Sequence, residues 1–147
     1  MKNKLVFIVD NDPFTAKKMR LHMEALGFDV SYFATGSEAM SHLSMAPALI
    51  ILAHDLGEEA TGLDYLRLIK AFNKTIPVLF LLPPNNLDLA VHALRLGAFF
   101  YIEKIHASLE SMKNIIYDLD IDKKRKYWNA LRTFRQGVFN LYGVYWL

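Results

Sequence analysis

The stretch Lys4-Leu5-Val6-Phe7-Ile8-Val9-Asp10-Asn11-Asp12-Pro13 decides the fold. Leu5 to Val9 is wholly apolar and rich in β-branched residues, the pattern of a strand covered on both faces. Asp12-Pro13 then reads as a helix start, because Asp is a good N-cap and Pro is favoured at the first helical position. Ala16, Met19, Met23 and Leu26 follow at helical spacing, and Gly27 ends the helix.

The same alternation recurs downstream. Phe28 to Phe33 is a second, more mixed strand, and Ser37 is expected to cap a short helix with Ala39, Met40 and Leu43 on its inner side. Pro47 precedes the apolar strand Ala48 to Ala53, and Leu63, Leu66 and Ile69 or Lys70 mark a third helix. Pro77 to Leu82 is a fourth strand, Leu87 to Leu96 a helix that stops at Gly97, Phe99 to Ile102 a fifth strand, and Ser108 to Leu119 a last helix. Five strands alternating with five helices predict an α/β domain over residues 1–119: a doubly wound, five-stranded parallel sheet with right-handed crossovers. Ligands and chemistry in such sheets sit beyond the carboxyl ends of the strands. The residues at those ends are Asp10, Asn11 and Asp12, then Ala53, His54 and Asp55, then Leu82 and Pro83, and last Glu103 and Lys104.

Composition agrees with one folded domain. Among 147 residues 53% are hydrophobic, 13% aromatic and 22% charged, which excludes a wholly disordered chain. The absence of cysteine excludes disulfide scaffolds, thiolate nucleophiles, iron–sulfur clusters and cysteine zinc sites, and suits a cytoplasmic protein. The longest apolar runs fall far short of the ~20 residues of a membrane span, and Leu5 to Val9 is too short for a signal-peptide core. The net charge of +2 hides an asymmetry. Residues 122–147 hold six Lys or Arg against Asp122 alone, leaving 11 basic and 14 acidic residues in 1–121, a net of −3.

The strand ends resemble the receiver domain of two-component response regulators over roughly residues 4–119. Lys4 to Pro13 is similar to that family's first strand and acidic turn. Gly27-Phe28-Asp29-Val30 with Ala34-Thr35-Gly36-Ser37-Glu38-Ala39 is similar to its second strand and helix, and Pro47 to Leu52 to its third strand. Gly62-Leu63-Asp64-Tyr65-Leu66, Ile76 to Leu81, Ala93 to Ala98 and Tyr101-Ile102-Glu103-Lys104 continue the resemblance in order. It implies a flavodoxin-like (βα)5 receiver fold and aspartyl phosphorylation. A carboxylate after the third strand would accept a phosphoryl group from a histidine kinase. A pair of acids after the first strand would hold Mg²⁺, and a hydroxyl after the fourth strand and a lysine after the fifth would contact the phosphoryl oxygens.

Position by position, this sequence departs from that set. The acid pair falls on Asp10 and Asn11, the hydroxyl on Leu82 followed by Pro83 and Pro84, and the lysine on Lys104, with Ile105 where a proline is usual. The acceptor falls on Ala53 if the strand motif sets the register. Counting back from Gly62 chooses His54 instead, and Asp55 would serve only if the strand ran two residues further. The strand is the better anchor, because a one-residue slip turns every strand side chain over whereas a loop insertion costs little. Gly57-Glu58-Glu59-Ala60-Thr61 is the expected place for the extra residue. Asp55 then reads as a solvated loop acid, Asp12 as a helix cap, and Lys104 as a partner for Asp10 or a solvated cation. Only Asp10 and Lys104 of the five positions survive, the pattern of a pseudo-receiver with no catalytic residue, no cofactor and no metal.

Nothing else in the chain suggests an independent enzyme. His22, His42, His54, His92 and His106 are scattered, and the glycines sit singly at turns. In the basic extension 120–147, Tyr127, Leu131, Phe134, Val138, Leu141 and Tyr145 are spaced like a coiled-coil seam. That helix either folds back on its own domain or associates with a second copy or another protein. Nucleic-acid or membrane-surface binding by Lys123-Lys124-Arg125-Lys126 is the weaker reading. The sequence therefore points to a phosphorylation-independent signalling module that meets a histidine kinase or output protein and dimerises through residues 120–147. The alternatives are a working phosphoacceptor at Asp55 or another acid, and a nucleic-acid-binding adaptor.

Overall fold

Three of the five apolar runs lie in the middle of the sheet and two at its edges, as their composition demands. The computed structural model describes residues 3–120. Strands β1 (Leu5–Val9), β2 (Asp29–Phe33), β3 (Leu49–Ala53), β4 (Val78–Leu82) and β5 (Phe100–Glu103) form one parallel sheet in the order β2-β1-β3-β4-β5. β3 and β4 are buried throughout and β1 from its second residue, whereas β2 and β5 keep exposed or half-buried side chains. Continuous apolar sequence marks strands covered on both faces, and mixed sequence marks the edges. Phe7 and Phe80 are the largest side chains that are fully buried.

Helices α1 (Pro13–Ala25), α2 (Gly36–Ser41), α3 (Gly62–Phe72) and α4 (Leu87–Arg95) connect the strands, and residues 109–120 are helical. The chain steps from β1 outward to β2 and then back across to β3, so the crossovers cover both faces of the sheet. The doubly wound architecture expected from the sequence is the one observed. Four strands begin one residue later than the apolar runs suggest, because strand pairing, not hydrophobicity, sets the boundary. Pro77, for instance, lacks an N–H and contributes its carbonyl to the Ile50 N–H at 3.0 Å.

One cap differs from expectation. Thr35, not Ser37, caps α2, with its side chain accepting the Glu38 N–H at 3.3 Å. Gly36 can open the helix because its missing Cβ leaves room for the Tyr65 ring packed against it. α1 starts as expected: Asp12 accepts the Phe14 N–H at 3.1 Å and the Thr15 hydroxyl at 2.6 Å.

The register Val9↔Leu52, Ala53↔Leu81 and Leu82↔Glu103 brings Asp10, Ala53, Leu82 and Lys104 to one end of the sheet. The chain divides into two compact units, residues 1–113 and 114–147. Of the second, residues 114–120 are described and are helical. Tyr127, Leu131, Phe134, Val138, Leu141 and Tyr145 lie outside the described residues.

Candidate functional site

Asp10 follows β1 directly, and its backbone N–H continues the sheet by donating to the Phe33 carbonyl at 3.2 Å. That pairing carries its carboxylate into the protein, where the residue is fully buried. A buried carboxylate needs a counter-charge and hydrogen bonds. The Lys104 ammonium, at the end of β5, supplies the charge: Nζ donates to Asp10 Oδ1 at 3.0 Å and stands 2.8 Å from Oδ2. The contact with Oδ2 is an ion pair without hydrogen-bond alignment. Oδ1 also accepts the Asp12 N–H at 3.0 Å, and the Tyr32 hydroxyl donates to the Asp10 carbonyl at 2.8 Å. Burial raises the Tyr32 phenol above its usual pKa, and the negative charges of Asp10 and Asp12 push in the same direction. The Thr15 hydroxyl, followed by burial acting the other way, dominates at Asp12, whose carboxyl is held below its usual value.

The last residue of β3 carries no carboxylate. β3 ends at Ala53, paired with Leu81, and its methyl group is fully buried. His54 continues the ladder by donating its N–H to the Leu81 carbonyl at 3.2 Å. Its ring is half-buried, 6.0 Å from the Phe80 ring, and Nδ1 has no hydrogen-bond partner. Burial pushes the imidazole pKa down, against the opposing pull of Asp55 and Asp64. Asp55 is exposed and accepts the Gly57 N–H at 3.2 Å. Its bond is thus local to its own loop, while Asp10 and Lys104 bond to each other.

The loop from 54 to 61 returns to β3 at Gly62, whose N–H donates to the His54 carbonyl at 2.8 Å. A Cβ on Gly62 would collide with the Ala53 carbonyl, so the close approach requires glycine. Exposed Asn11 leans over this loop: a Cβ on Gly57, at φ +64°, would lie 2.6 Å from Asn11 Nδ2. Across the mouth Leu82 is buried, Pro83 and Pro84 are exposed, and the Asn85 N–H reaches Glu103 Oε1 at 3.4 Å.

Sequence reasoning missed two members of this region, Glu58 and Tyr32. Glu58 Oε2 accepts the Gly36 N–H at 2.9 Å and Oε1 accepts the Tyr65 hydroxyl at 3.2 Å. The carboxylate therefore ties the β3–α3 loop to the start of α2 and to α3. Burial first, and Glu58 second, raise the Tyr65 phenol above its usual pKa. No local signal marks Glu58, an acid in a polar loop whose partner lies 22 residues earlier. Glu103 and Tyr32 join the site in the same long-range manner.

Comparison with known proteins identifies the arrangement. The sequence model of the response regulator receiver domain matches residues 6–117. The chain belongs to that family. Its receiver domain is 32% identical over 103 residues to the C4-dicarboxylate transport transcriptional regulatory protein DctD of Rhizobium meliloti, covering 70% of this chain and 22% of that protein. It is 31% identical over 98 residues to the regulatory protein LuxO of Vibrio vulnificus, covering 66% and 21%. The chain spans about a fifth of the length of these curated relatives. Among solved structures it resembles NtrX from Brucella abortus, with a TM-score of 0.80, 23% identity and coverage of 88% and 29%. It also resembles a receiver domain protein from Clostridium thermocellum, with a TM-score of 0.74, 21% identity and coverage of 82% and 96%. Those structural likenesses support the fold alone.

The receiver family implies Mg²⁺ at this end of the sheet, and the side chains here do not fit it. Mg²⁺ demands near-octahedral oxygen ligands. The mouth offers the buried Asp10 carboxylate, already held by an ammonium, the exposed Asn11 amide, the Ala53 methyl group, and the Asp12 carboxylate, whose two oxygens are taken by the Phe14 N–H and the Thr15 hydroxyl as the cap of α1. Among the described residues no helix is long and apolar enough to cross a membrane.

Proposed function

We propose that this receiver domain signals in the cytoplasm without being phosphorylated, by contact with a protein partner of the histidine kinase or output class. Ala53 carries the reading. It occupies the end of β3, where the family places the acceptor carboxylate, and a methyl group has no electron pair with which to attack a phosphoryl donor. The ion pair between Asp10 and Lys104 supports it, since both surviving polar groups are engaged with each other. Leu82 supports it as well, having no hydroxyl to respond to a phosphoryl group. The extension 120–147 is proposed to join two copies of the chain through its apolar stripe. We assign no catalytic residue, cofactor or nucleic-acid partner.

The test is incubation with acetyl phosphate and millimolar Mg²⁺, followed by intact mass. The expected outcome is no mass gain and no Mg²⁺-dependent rise in the thermal midpoint. A stoichiometric phospho-adduct mapped to Asp55 overturns the reading and reinstates a working phosphoacceptor.

A further inference from the structure

We infer that His54 is the trigger of an acid-released loop, residues 55–61, which opens when the ring is protonated while the sheet beneath stays closed. The loop leaves and returns at His54. The His54 N–H donates to the Leu81 carbonyl at 3.2 Å, and its carbonyl accepts the Gly62 N–H at 2.8 Å. Gly62 lies so near that a Cβ there would come within 2.7 Å of His54 Cα. Between these two points Leu56 is the only buried residue, and directed bonds close the rest. A segment held in this way can open locally at less cost than global unfolding.

Nδ1 of His54 is buried beside the Phe80 ring and has no hydrogen-bond partner. A neutral imidazole tolerates this, with its hydrogen on Nε2 and a lone pair on Nδ1. The imidazolium does not, because both nitrogens are then donors and a buried, unpaired charged N–H is unfavourable. From β4 the ring meets only the apolar Phe80. The charges that act on it are Asp55 from the loop and Asp64 from α3. Both carboxylates are engaged in closing the loop. Asp55 accepts the Gly57 N–H at 3.2 Å, and Asp64 Oδ2 accepts the Thr61 N–H at 2.8 Å and its hydroxyl at 3.2 Å, with Arg67 on Oδ1. An imidazolium that turns toward either of them competes with those bonds. Burial outweighs the two carboxylates and favours the neutral ring in the closed loop. The open loop binds the proton more readily, so opening is favoured as pH falls below about 6.5. The Glu58 bonds to Gly36 and Tyr65 oppose the opening, which frees Asn11 from its place against Gly57.

The experiment is amide hydrogen exchange of the full chain followed by NMR near pH 7.5 and near pH 5.5, read as protection factors so that the intrinsic exchange rate cancels. The Thr61 and Gly62 amides are expected to lose up to about tenfold in protection at the lower pH, the most that one group with an open-state value near 6.5 contributes over that interval. The Ile51 and Phe80 amides, in β3 and β4, are expected to keep theirs. The carbon-bound protons of the His54 ring, followed in the same samples, are expected to titrate below 6.5. His54→Gln is neutral throughout and is expected to abolish the pH dependence at Thr61 and Gly62. It leaves in place His22 of α1, whose Nδ1 is also unpartnered. Circular dichroism verifies its fold, and His54→Phe, which keeps a ring against Phe80, gives the same readout. The ring titration needs no variant. A ring that titrates at or above 6.5, protection at Thr61 and Gly62 that ignores pH, or an equal change in the folded variants overturns the inference. A parallel loss at Ile51 and Phe80 overturns it too, because the whole domain then opens.

Discussion

Between Leu49 and Ala53 every side chain is buried, whereas in the next eight residues, 54 to 61, only Leu56 is. The side chains of β3 are held by area: apolar surface removed from water contributes about 25 cal/mol per Å² whatever the direction of the contact. The loop after it is held by direction, through Glu58 on Gly36 and Tyr65, Asp55 on Gly57, and Gly62 on the His54 carbonyl. The ion pair of Asp10 with Lys104 belongs to the second kind although it is buried like the first. The two tolerate change unequally. A strand can exchange one apolar residue for another of similar volume, but a directed bond is lost outright when either partner changes.

Breaking the ion pair tests this contrast most severely. Lys104→Met leaves the Asp10 carboxylate buried without its counter-charge and is expected to cost about 3 kcal/mol in denaturant unfolding. Adding Asp10→Asn should return most of that loss, because no orphaned charge remains. A double variant as unstable as the single one would show that Lys104 acts through packing alone.

The loop clamp should respond less. Glu58→Ala removes the acceptor of two hydrogen bonds and is expected to cost about 1–2 kcal/mol, with Tyr65→Phe costing roughly half as much. A Glu58→Ala chain of wild-type stability would mean that the loop is held without it.

The response to acid is expected to be the smallest. The folded state lowers the pKa of His54 through burial, and that of His22 through burial followed by the charge of Lys18. Both rings are therefore easier to protonate in the unfolded chain. Their contribution is fully present above the unfolded value of about 6.5 and declines as pH falls from there through the lower folded values. Thermal midpoints near pH 7.5 and near pH 5.5 should differ more for the wild type than for His54→Phe. Equal differences would remove His54 from the acid response.

Much of the fold is readable from local pattern. Runs such as Leu5 to Val9 and Leu49 to Ala53 carry their own evidence of two-sided burial, and Asp12-Pro13 and Gly27 punctuate α1 by backbone chemistry that acts within a few residues. The site is readable only in part. The resemblance assigned Asp10, Ala53, Leu82 and Lys104 to strand ends, and the register places all four at one end of the sheet. Thr35 and Ser37 offer equivalent side-chain chemistry as caps of α2, and Thr35 is the cap. What separates them is the Tyr65 ring against Gly36, a contact made 29 residues along the chain.

The alternation of strands and helices, the two-sided burial of Leu5 to Val9 and the methyl group at position 53 are therefore legible in the sequence alone. These follow from side-chain chemistry and short-range periodicity, which no distant residue can alter. The pairing of Lys104 with Asp10, the bridge from Glu58 to α2 and α3, and the place of His54 beside Phe80 with its Nδ1 unpartnered follow from the fold. Each joins residues between 7 and 94 positions apart, and a charge or hydrogen-bonding group carries no mark of its distant partner until the sheet has closed the distance.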